Sequence, residues 1–428
     1  MLAVKLTIHR GAKQVGGTCV EVATDRTRVI LDVGSPLADP ATLLEGNRPS
    51  NQPELPDVPG LFSDGPRVDA VVLSHAHSDH TGLIEKVRPI IPVYLSSGTS
   101  KMLMAGSMFA GQPRLDRKRE RKLLPLKPTL IGDITITAFP VDHSAYDSMA
   151  LMVEADGKRL LYSGDLRLHG RMVGRAKQLI EAATATPLDV LLMEGTNLSR
   201  RDQRTGHTEQ ELEDFLLDAI REAPGLVLAN FSPLHVERMV SFCNATSRAG
   251  RKFVVDVYGA LVRHLVSRGW QGMRSPGFGG FRVYYPRSFE RTWRRRNLGD
   301  IHEKFLAKRI EIDEVEAKPQ EFVMLFRPSM LAGDFKNRFL PGTRCIYSYW
   351  PGYLAQPEYR LVEHKLHEAQ GDLVELHTSG HLFVHDLVEF VRAVNPCKVV
   401  PIHTNAPWRF SELFENALLL SDGITLIL

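Results

Sequence analysis

Residues 75–80 read His-Ala-His-Ser-Asp-His, four side chains able to ligate a cation within six positions. His75 and His77 alternate so that both imidazoles can reach one ion. Asp79 and His80 turn toward a neighbouring ion, and this mixture of nitrogen and carboxylate donors suits zinc or manganese. A lone histidine is more often a satisfied core or surface residue, but four donors directly after an apolar run predict a metal site. Further donors follow other apolar stretches: His143 after residues 134–137, Asp165 after 159–162 and His403 after 398–402. Assembled, they make two ligand sets, His75, His77 and His143 for one cation and Asp79, His80 and His403 for the other, with Asp165 bridging. Two divalent cations about 3.5–4 Å apart can hold a bridging hydroxide at neutral pH and neutralise phosphodiester oxygens during in-line displacement. Hydrolysis is the chemistry expected.

The elements that position these groups are short. Residues 68–73 have the length and β-branching of a buried strand, and 81–84 predict the start of a helix, which places the four ligands on a strand-to-helix loop. Residues 1–8 alternate as a strand, 28–33 form another that runs into Asp32, and 36–66, rich in Pro, Gly, Asn and Asp, predict a loop. After residues 191–194, which end in Glu194, the pattern changes to strand-helix units. Thr208 and Glu211 form a capping-box pair, and Leu212, Phe215, Leu216, Ala219 and Ile220 give the apolar face of the helix they open. A strand at 225–229, a helix at 236–245 and a strand at 253–257 follow βαβ logic for an open parallel sheet. Later strands at 322–326, 344–347 and 373–376 lead to Arg327, Ser348 and His377, at the carboxyl ends where such sheets bind ligands. A helix at 387–394 and a strand at 398–402 return to the histidine-after-strand pattern. The expected organisation is a first domain of residues 1–195, an insertion of 196–372, and a closing part, 373–428.

With 428 residues, 43% hydrophobic and 24% charged, the composition is ordinary for a globular protein, and no run reaches membrane-spanning length. No membrane partner is expected. Residues 1–8 lack the long apolar segment of a signal peptide, so the expected location is the cytoplasm. Cys19, Cys243, Cys345 and Cys397 lie far apart with no Cys-x-x-Cys pair, which argues for reduced, partly buried thiols. A net charge of +3 does not identify a nucleic-acid partner, but basic clusters stand at 114–122, 200–204 and 282–308. A solvated helix face accounts for the first two. The third interleaves Tyr284, Tyr285, Phe289 and Trp293 with arginines, a combination able to stack bases and bind phosphates.

The His-x-His-x-Asp-His run, with His143 and Asp165 at the expected intervals, resembles the metallo-β-lactamase superfamily across essentially the whole N-terminal part. Glu194 after a strand, His381 in His-Thr-Ser-Gly-His and His403 in Pro-Ile-His look like the three additional motifs of the β-CASP nucleases, ribonuclease J among them. The resemblance implies an α/β protein, a metallo-β-lactamase αββα sandwich carrying an inserted α/β β-CASP domain. It implies that Glu194 supports His381, that His381 contacts the scissile phosphate as an acid or transition-state stabiliser, and that His403 completes the second metal. A histidine in that last motif is typical of RNA-cleaving members, which favours RNA over single-stranded DNA. Asp32 matches the superfamily's first acidic motif and is expected to orient a ligand imidazole. Asn230, Ser232, His377 and Ser379 lie where the family collects phosphate-binding groups. The expected activity is a ribonuclease, exo- or endonucleolytic, using two divalent ions, with Asp79 and Asp165 positioning the attacking hydroxide. A homo-oligomer is compatible with this reading.

Departures from ribonuclease J bear on assembly. The chain ends 25 residues after His403, short of the extra C-terminal domain expected from the resemblance. Tyr146 stands where proline is common, and Tyr347-Ser348-Tyr349-Trp350 replaces a small, Ser-rich segment, an aromatic rim that could block a phosphate or stack a base. Two other functions stay open at this point: a hydrolase of small phosphodiesters or esters with the insertion as a lid, and an inactive nucleic-acid-binding subunit.

Overall fold

The computed structural model describes residues 3–37, 54–199, 206–267, 280–294 and 296–428. They divide into two compact units. One comprises the described residues up to Leu37, from 54 to Gly206 and from Ser379 onward; the other runs from His207 to Thr378.

Two sheets build the first unit. One orders its strands Thr425–Ile427, Lys5–Arg10, Cys19–Ala23, Arg28–Leu31, Ala70–Val72, Val93–Leu95, Glu120–Lys122. The other runs Lys398–Ile402, Val190–Glu194, Lys158–Tyr162, Met149–Ala155, Ile134–Pro140, Pro128–Ile131. Residues two apart share a face of a pleated strand. Leu6, Ile8, Val20, Val22, Val29, Leu31 and Val72 therefore meet Ile136, Leu151, Val153, Leu160, Val190, Leu192 and Val400 in a core between the sheets. The alternate set of the second sheet, Met152, Leu161, Leu191, Met193 and Val399, packs with Leu179 and Ala183 of helix Gly174–Thr184 and with Leu387, Phe390 and Val391 of helix Val384–Val394. Burial on both faces explains why these strands read as continuous apolar runs instead of alternating ones.

Parallel pairing gathers the chemistry. Arg28–Leu31 runs parallel to Ala70–Val72, and Lys158–Tyr162, Val190–Glu194 and Lys398–Ile402 are mutually parallel neighbours. Their carboxyl ends line up, and Asp32, His75, Asp165, Glu194 and His403 stand at or just past those ends. The loop expectation near residue 80 needs correcting. A short helix spans Ser78–Thr81, so Asp79 and His80 lie within it, and residues 82–86 are turns instead of the start of a helix. Residues 36–37 and 54–66 hold only isolated bridges, and the remainder of that expected loop lies outside the described residues.

In the second unit every strand pair is parallel, in the order Arg309–Ile310, Arg282–Tyr284, Lys252–Asp256, Phe322–Leu325, Val227–Asn230, Arg344–Tyr347, Asp372–Glu375. The capping box at Thr208 and Glu211 opens helix Glu209–Glu222, with both reciprocal bonds made. Its apolar face differs from expectation at one place: Leu217 is buried while Phe215 is exposed, its ring against His207. The aromatic residues among the arginines of 282–308 are also reassigned. Tyr284, Tyr285 and Phe289 are buried, with Tyr284 donating to Asp334 and Tyr285 to the His302 carbonyl, and Trp293 stacks on His302 at 4.5 Å. Tyr284, Tyr285 and Phe289 are core of this unit, not a base-stacking surface, and Trp293 is half-buried. Tyr347 is likewise buried, its hydroxyl donating to the Trp350 carbonyl. The basic cluster at 200–204, and Arg295, lie outside the described residues. Cys19, Cys243 and Cys345 are buried, which pushes the thiols of the latter two up to about 12, whereas Cys397 is exposed.

A buried ion pair pins this unit. Arg238 and Glu209 are both fully buried, Nε donating to Oε1 at 2.8 Å and Nη2 to Oε2 at 3.2 Å, while Arg238 also donates to the Ser348 and Thr378 carbonyls. Removing one partner strands a charge in the core. Arg238→Ala is expected to lower the unfolding free energy by about 3–5 kcal/mol in a urea titration, and the double replacement Arg238→Met/Glu209→Leu by clearly less. Equal losses in the two proteins would show that the cost lies in packing and not in the stranded charge.

Candidate metal centre

The expected ligands converge in the first unit. His75, His77 and His143 make one cluster; Asp79, His80, Asp165 and His403 make a second; in each, the candidate ligand atoms lie within 4.8 Å of one another. The rings of the first cluster meet edge to face with centroids 4.8 to 4.9 Å apart, and His143 Nε2 lies 3.1 Å from His77 Nδ1. Asp165 stands between the clusters. One of its oxygens, Oδ2, is 3.1 Å from His80 Nε2, 3.7 Å from both His75 Nε2 and His143 Nε2, and 3.8 Å from His381 Nδ1; Oδ1 is 3.7 Å from His403 Nδ1. Asp79 Oδ2 approaches His403 Nε2 at 3.2 Å.

The outward-facing nitrogens are already committed, which decides what the inner ones can do. His80 Nδ1 donates to Asp32 Oδ2 at 2.8 Å. His75 Nδ1 donates to Ser74 Oγ at 3.0 Å, and that hydroxyl in turn donates to Asp32 Oδ2 at 2.6 Å. His143 Nδ1 donates to the Gly380 carbonyl at 2.5 Å. Each of these three rings is thereby fixed with Nε2 facing inward, the outer-shell arrangement that raises ligand basicity. His75 Nε2, His80 Nε2 and both oxygens of Asp165 are buried and have no hydrogen-bond partner among the described residues. Buried polar atoms are rarely left this way. The nitrogen and carboxylate donor set, with its inner atoms unsatisfied, fits divalent cations of the zinc or manganese kind.

Charge follows the same division. Burial, joined by repulsion from His80, holds His75 well below the usual imidazole range. Burial and His77 do the same to His143, so both rings are neutral, as a metal ligand must be. Burial works against the Asp165 carboxylate, yet His403, His80 and His381 outweigh it and keep the group ionised well below its usual range. For His80 burial is overcome by Asp165 and Asp32, which raise it well above the ordinary value. The second cluster thus holds an excess of negative groups that demand a positive partner.

Beside the clusters stands a second pair. His381 Nδ1 lies 3.2 Å from Glu194 Oε1, and Glu194 Oε2 accepts from the Thr196 amide at 3.0 Å. Burial opposes a charge on His381, but Glu194 and then Asp165 raise its pKa above the usual value. Its side chain is 19% exposed, whereas that of Glu194 is buried.

The four residues expected to bind phosphate fare differently. Asn230 is fully buried, its Nδ2 donating to the Phe326 carbonyl and its Oδ1 accepting from Tyr359, so its amide is spent inside the second unit and the phosphate role is withdrawn. Ser232 Oγ accepts from the Leu234 amide and His377 Nδ1 lies 3.4 Å from the Ser348 carbonyl. Ser379 is buried, its Oγ accepting from Asn197 and from the His381 amide.

Several residues here escaped the sequence. Tyr162 donates to Asp32 at 2.7 Å, and Thr196 Oγ1 lies 2.9 Å from His403 Nδ1. Both sit at strand ends, the one available signal. Asp32 and His403 adopt left-handed backbone, φ 59° and 54°, as several other non-glycine residues of this chain do, a conformation that aspartate and histidine tolerate better than most. Gly34 admits no side chain, because a Cβ there would lie 1.6 Å from the Asp79 carbonyl oxygen.

Two sheets with five parallel strand ends feeding one histidine-aspartate centre define a metallo-β-lactamase fold, and residues 37–228 match the β-lactamase superfamily domain. The chain carries a domain of that superfamily. It is also similar to proteins named ribonuclease J. It is 28% identical over 397 residues to ribonuclease J of Mycobacterium tuberculosis, covering 86% of this chain and 64% of that one. It is 25% identical over 376 residues to ribonuclease J of Sinorhizobium meliloti, covering 82% and 60%. An RNase J-like protein of Methanocaldococcus jannaschii is 24% identical over 274 residues, covering 60% and 59%. The chain therefore spans about three fifths of the length of these relatives. A crystal structure of an Enterococcus faecalis protein of unknown function shares the fold over the full length of both chains, with a TM-score of 0.79 and 24% identity.

Asp32 touches His80 and, through Ser74, His75, so one carboxylate orients ligands of both clusters. Asp32→Ala is expected to lower zinc affinity about 10–100-fold, read by competition with a chromogenic chelator. Parental affinity in that variant would remove Asp32 from the centre.

Proposed function

We propose that this protein is a divalent-metal-dependent ribonuclease that hydrolyses phosphodiester bonds of RNA. The observation that carries the reading is the Glu194–His381 pair set 3.8 Å from the shared carboxylate of a two-cluster centre, in a chain similar to proteins named ribonuclease J. His75, His77 and His143 would hold one cation, Asp79, His80 and His403 the other, with Asp165 common to both. Ions bound there supply Lewis acidity toward the phosphate and a nucleophile from water at neutral pH.

The chain's own groups do the rest. Glu194, beside His381 Nδ1, fixes the ring and favours its protonated form, so that His381 serves as the acid that hands a proton to the departing oxygen. Asp79 and Asp165 supply the negative charge that would hold the cations. The second unit, from His207 to Thr378, acts as the inserted nucleic-acid-facing domain, where Ser232 and His377 are the remaining candidates for phosphate contact. Single-stranded RNA is the proposed substrate.

The test uses purified protein of measured metal content with 5′-labelled and 3′-labelled single-stranded RNA and DNA carrying mono- or triphosphate ends. Cleavage of RNA is expected, abolished in Asp165→Ala and reduced about 10²–10³-fold in His381→Ala. No cleavage of any strand with zinc or manganese, alongside turnover of a small phosphodiester, would replace this reading with the small-substrate hydrolase.

A further inference from the structure

His381 must be held to sub-ångström tolerance, yet residues 379–382 belong to no helix or strand. Their fixity has to come from side chains. His169 Nε2 donates to the Ser379 carbonyl at 2.7 Å, and Arg167 Nη1 reaches the same oxygen at 3.4 Å. Asn197 Nδ2 lies 3.0 Å from Ser379 Oγ, 3.3 Å from the His381 carbonyl and 2.9 Å from the Leu382 carbonyl. Between them, His143 Nδ1 binds the Gly380 carbonyl. Every carbonyl from 379 to 382 is thus engaged by a buried donor.

These donors are themselves anchored. Arg167 is fully buried and pairs with Asp142 at 2.8 Å, and Asp142 Oδ2 also accepts from the Met172 amide. His169 is buried and stacks on Phe383 with centroids 4.0 Å apart. Asn197 sits in the turn Thr196–Ser199, three residues beyond Glu194. One short segment therefore grips the His381 ring through Glu194 and its backbone through Asn197. The loop seats tightly: a Cβ at Gly380 would lie 2.4 Å from Ser144 Oγ.

We propose that Asn197, His169 and the Arg167–Asp142 pair are positioning residues that fix His381 against Glu194. They touch neither substrate nor reacting atoms. The kinetic part of this proposal rests on the ribonuclease reading; the geometric part does not.

The test compares Asn197→Leu, which keeps the side chain's bulk without its N–H donors, and His169→Phe, which keeps the stack on Phe383 without a donor. Each is expected to lower kcat about 10²-fold while changing KM less than threefold and leaving metal content at the parental value. His169→Gln, which restores a donor, is expected to recover part of the loss. Asn197→Leu/His381→Ala is expected to be no slower than His381→Ala alone, because a positioning residue acts only through the group it positions. Crystal structures of the variants are expected to show His381 moved out of hydrogen-bond range of Glu194. Parental kcat in His169→Phe, full additivity in the double variant, or an unmoved His381 would each overturn the proposal. If Asn197→Leu does not fold, the His169 pair decides it. If the parental protein cleaves no RNA, the functional reading fails while the position of His381 in the variants still judges this one.

Discussion

A carboxylate buried among five imidazoles is the constraint on which the first unit depends. Asp165 lies within 4 Å of a ring nitrogen of His75, His80, His143, His381 and His403, and neither of its oxygens has a hydrogen-bond partner among the described residues. Such a charge is tolerable only when positive charge stands beside it. The fold meets this by turning imidazole nitrogens inward and tying their outer nitrogens to Asp32, Ser74 and Gly380, so that the centre's inner atoms remain available to cations.

That arrangement needs strand ends at one level, which parallel pairing provides. Arg28–Leu31 beside Ala70–Val72, and Lys158–Tyr162 beside Val190–Glu194 beside Lys398–Ile402, bring together residues separated by up to hundreds of positions in the chain. Two residues of the centre, Asp32 and His403, have left-handed backbone and mark where the chain turns sharply enough to deliver the side chain at once. The second unit follows a different plan, an all-parallel sheet in which Tyr284, Tyr285, Phe289 and Tyr347 are used in its own core.

Much of the fold was legible because strands buried on both faces leave long β-branched runs. The candidate ligands were legible because four donors packed into six residues behind such a run seldom serve any purpose but ligation. His143, Asp165 and His403 were legible only as polar residues at strand ends. What could not be read were contacts whose partners are remote. Asn197 reaches Ser379 across 182 positions and His169 across 210, and neither residue type nor local spacing announces a backbone clamp. The reading of Tyr284, Tyr285 and Phe289 as a base-stacking surface failed for a related reason. Aromatic rings between arginines look alike in sequence whether they face solvent or a core, and here Asp334 and the His302 carbonyl take their hydroxyls inside. Phe215 shows the converse, a helix position on the apolar face by period that ends up outside, against His207.

The central claim is that Asp165 is shared by two cation sites. Anomalous difference density from crystals of the protein loaded with zinc or manganese tests it directly. The account predicts two peaks about 3.5–4 Å apart, one among His75, His77 and His143 and one among Asp79, His80 and His403, with the Asp165 carboxylate between them. A single peak away from Asp165, or two peaks that do not share it, would contradict the account.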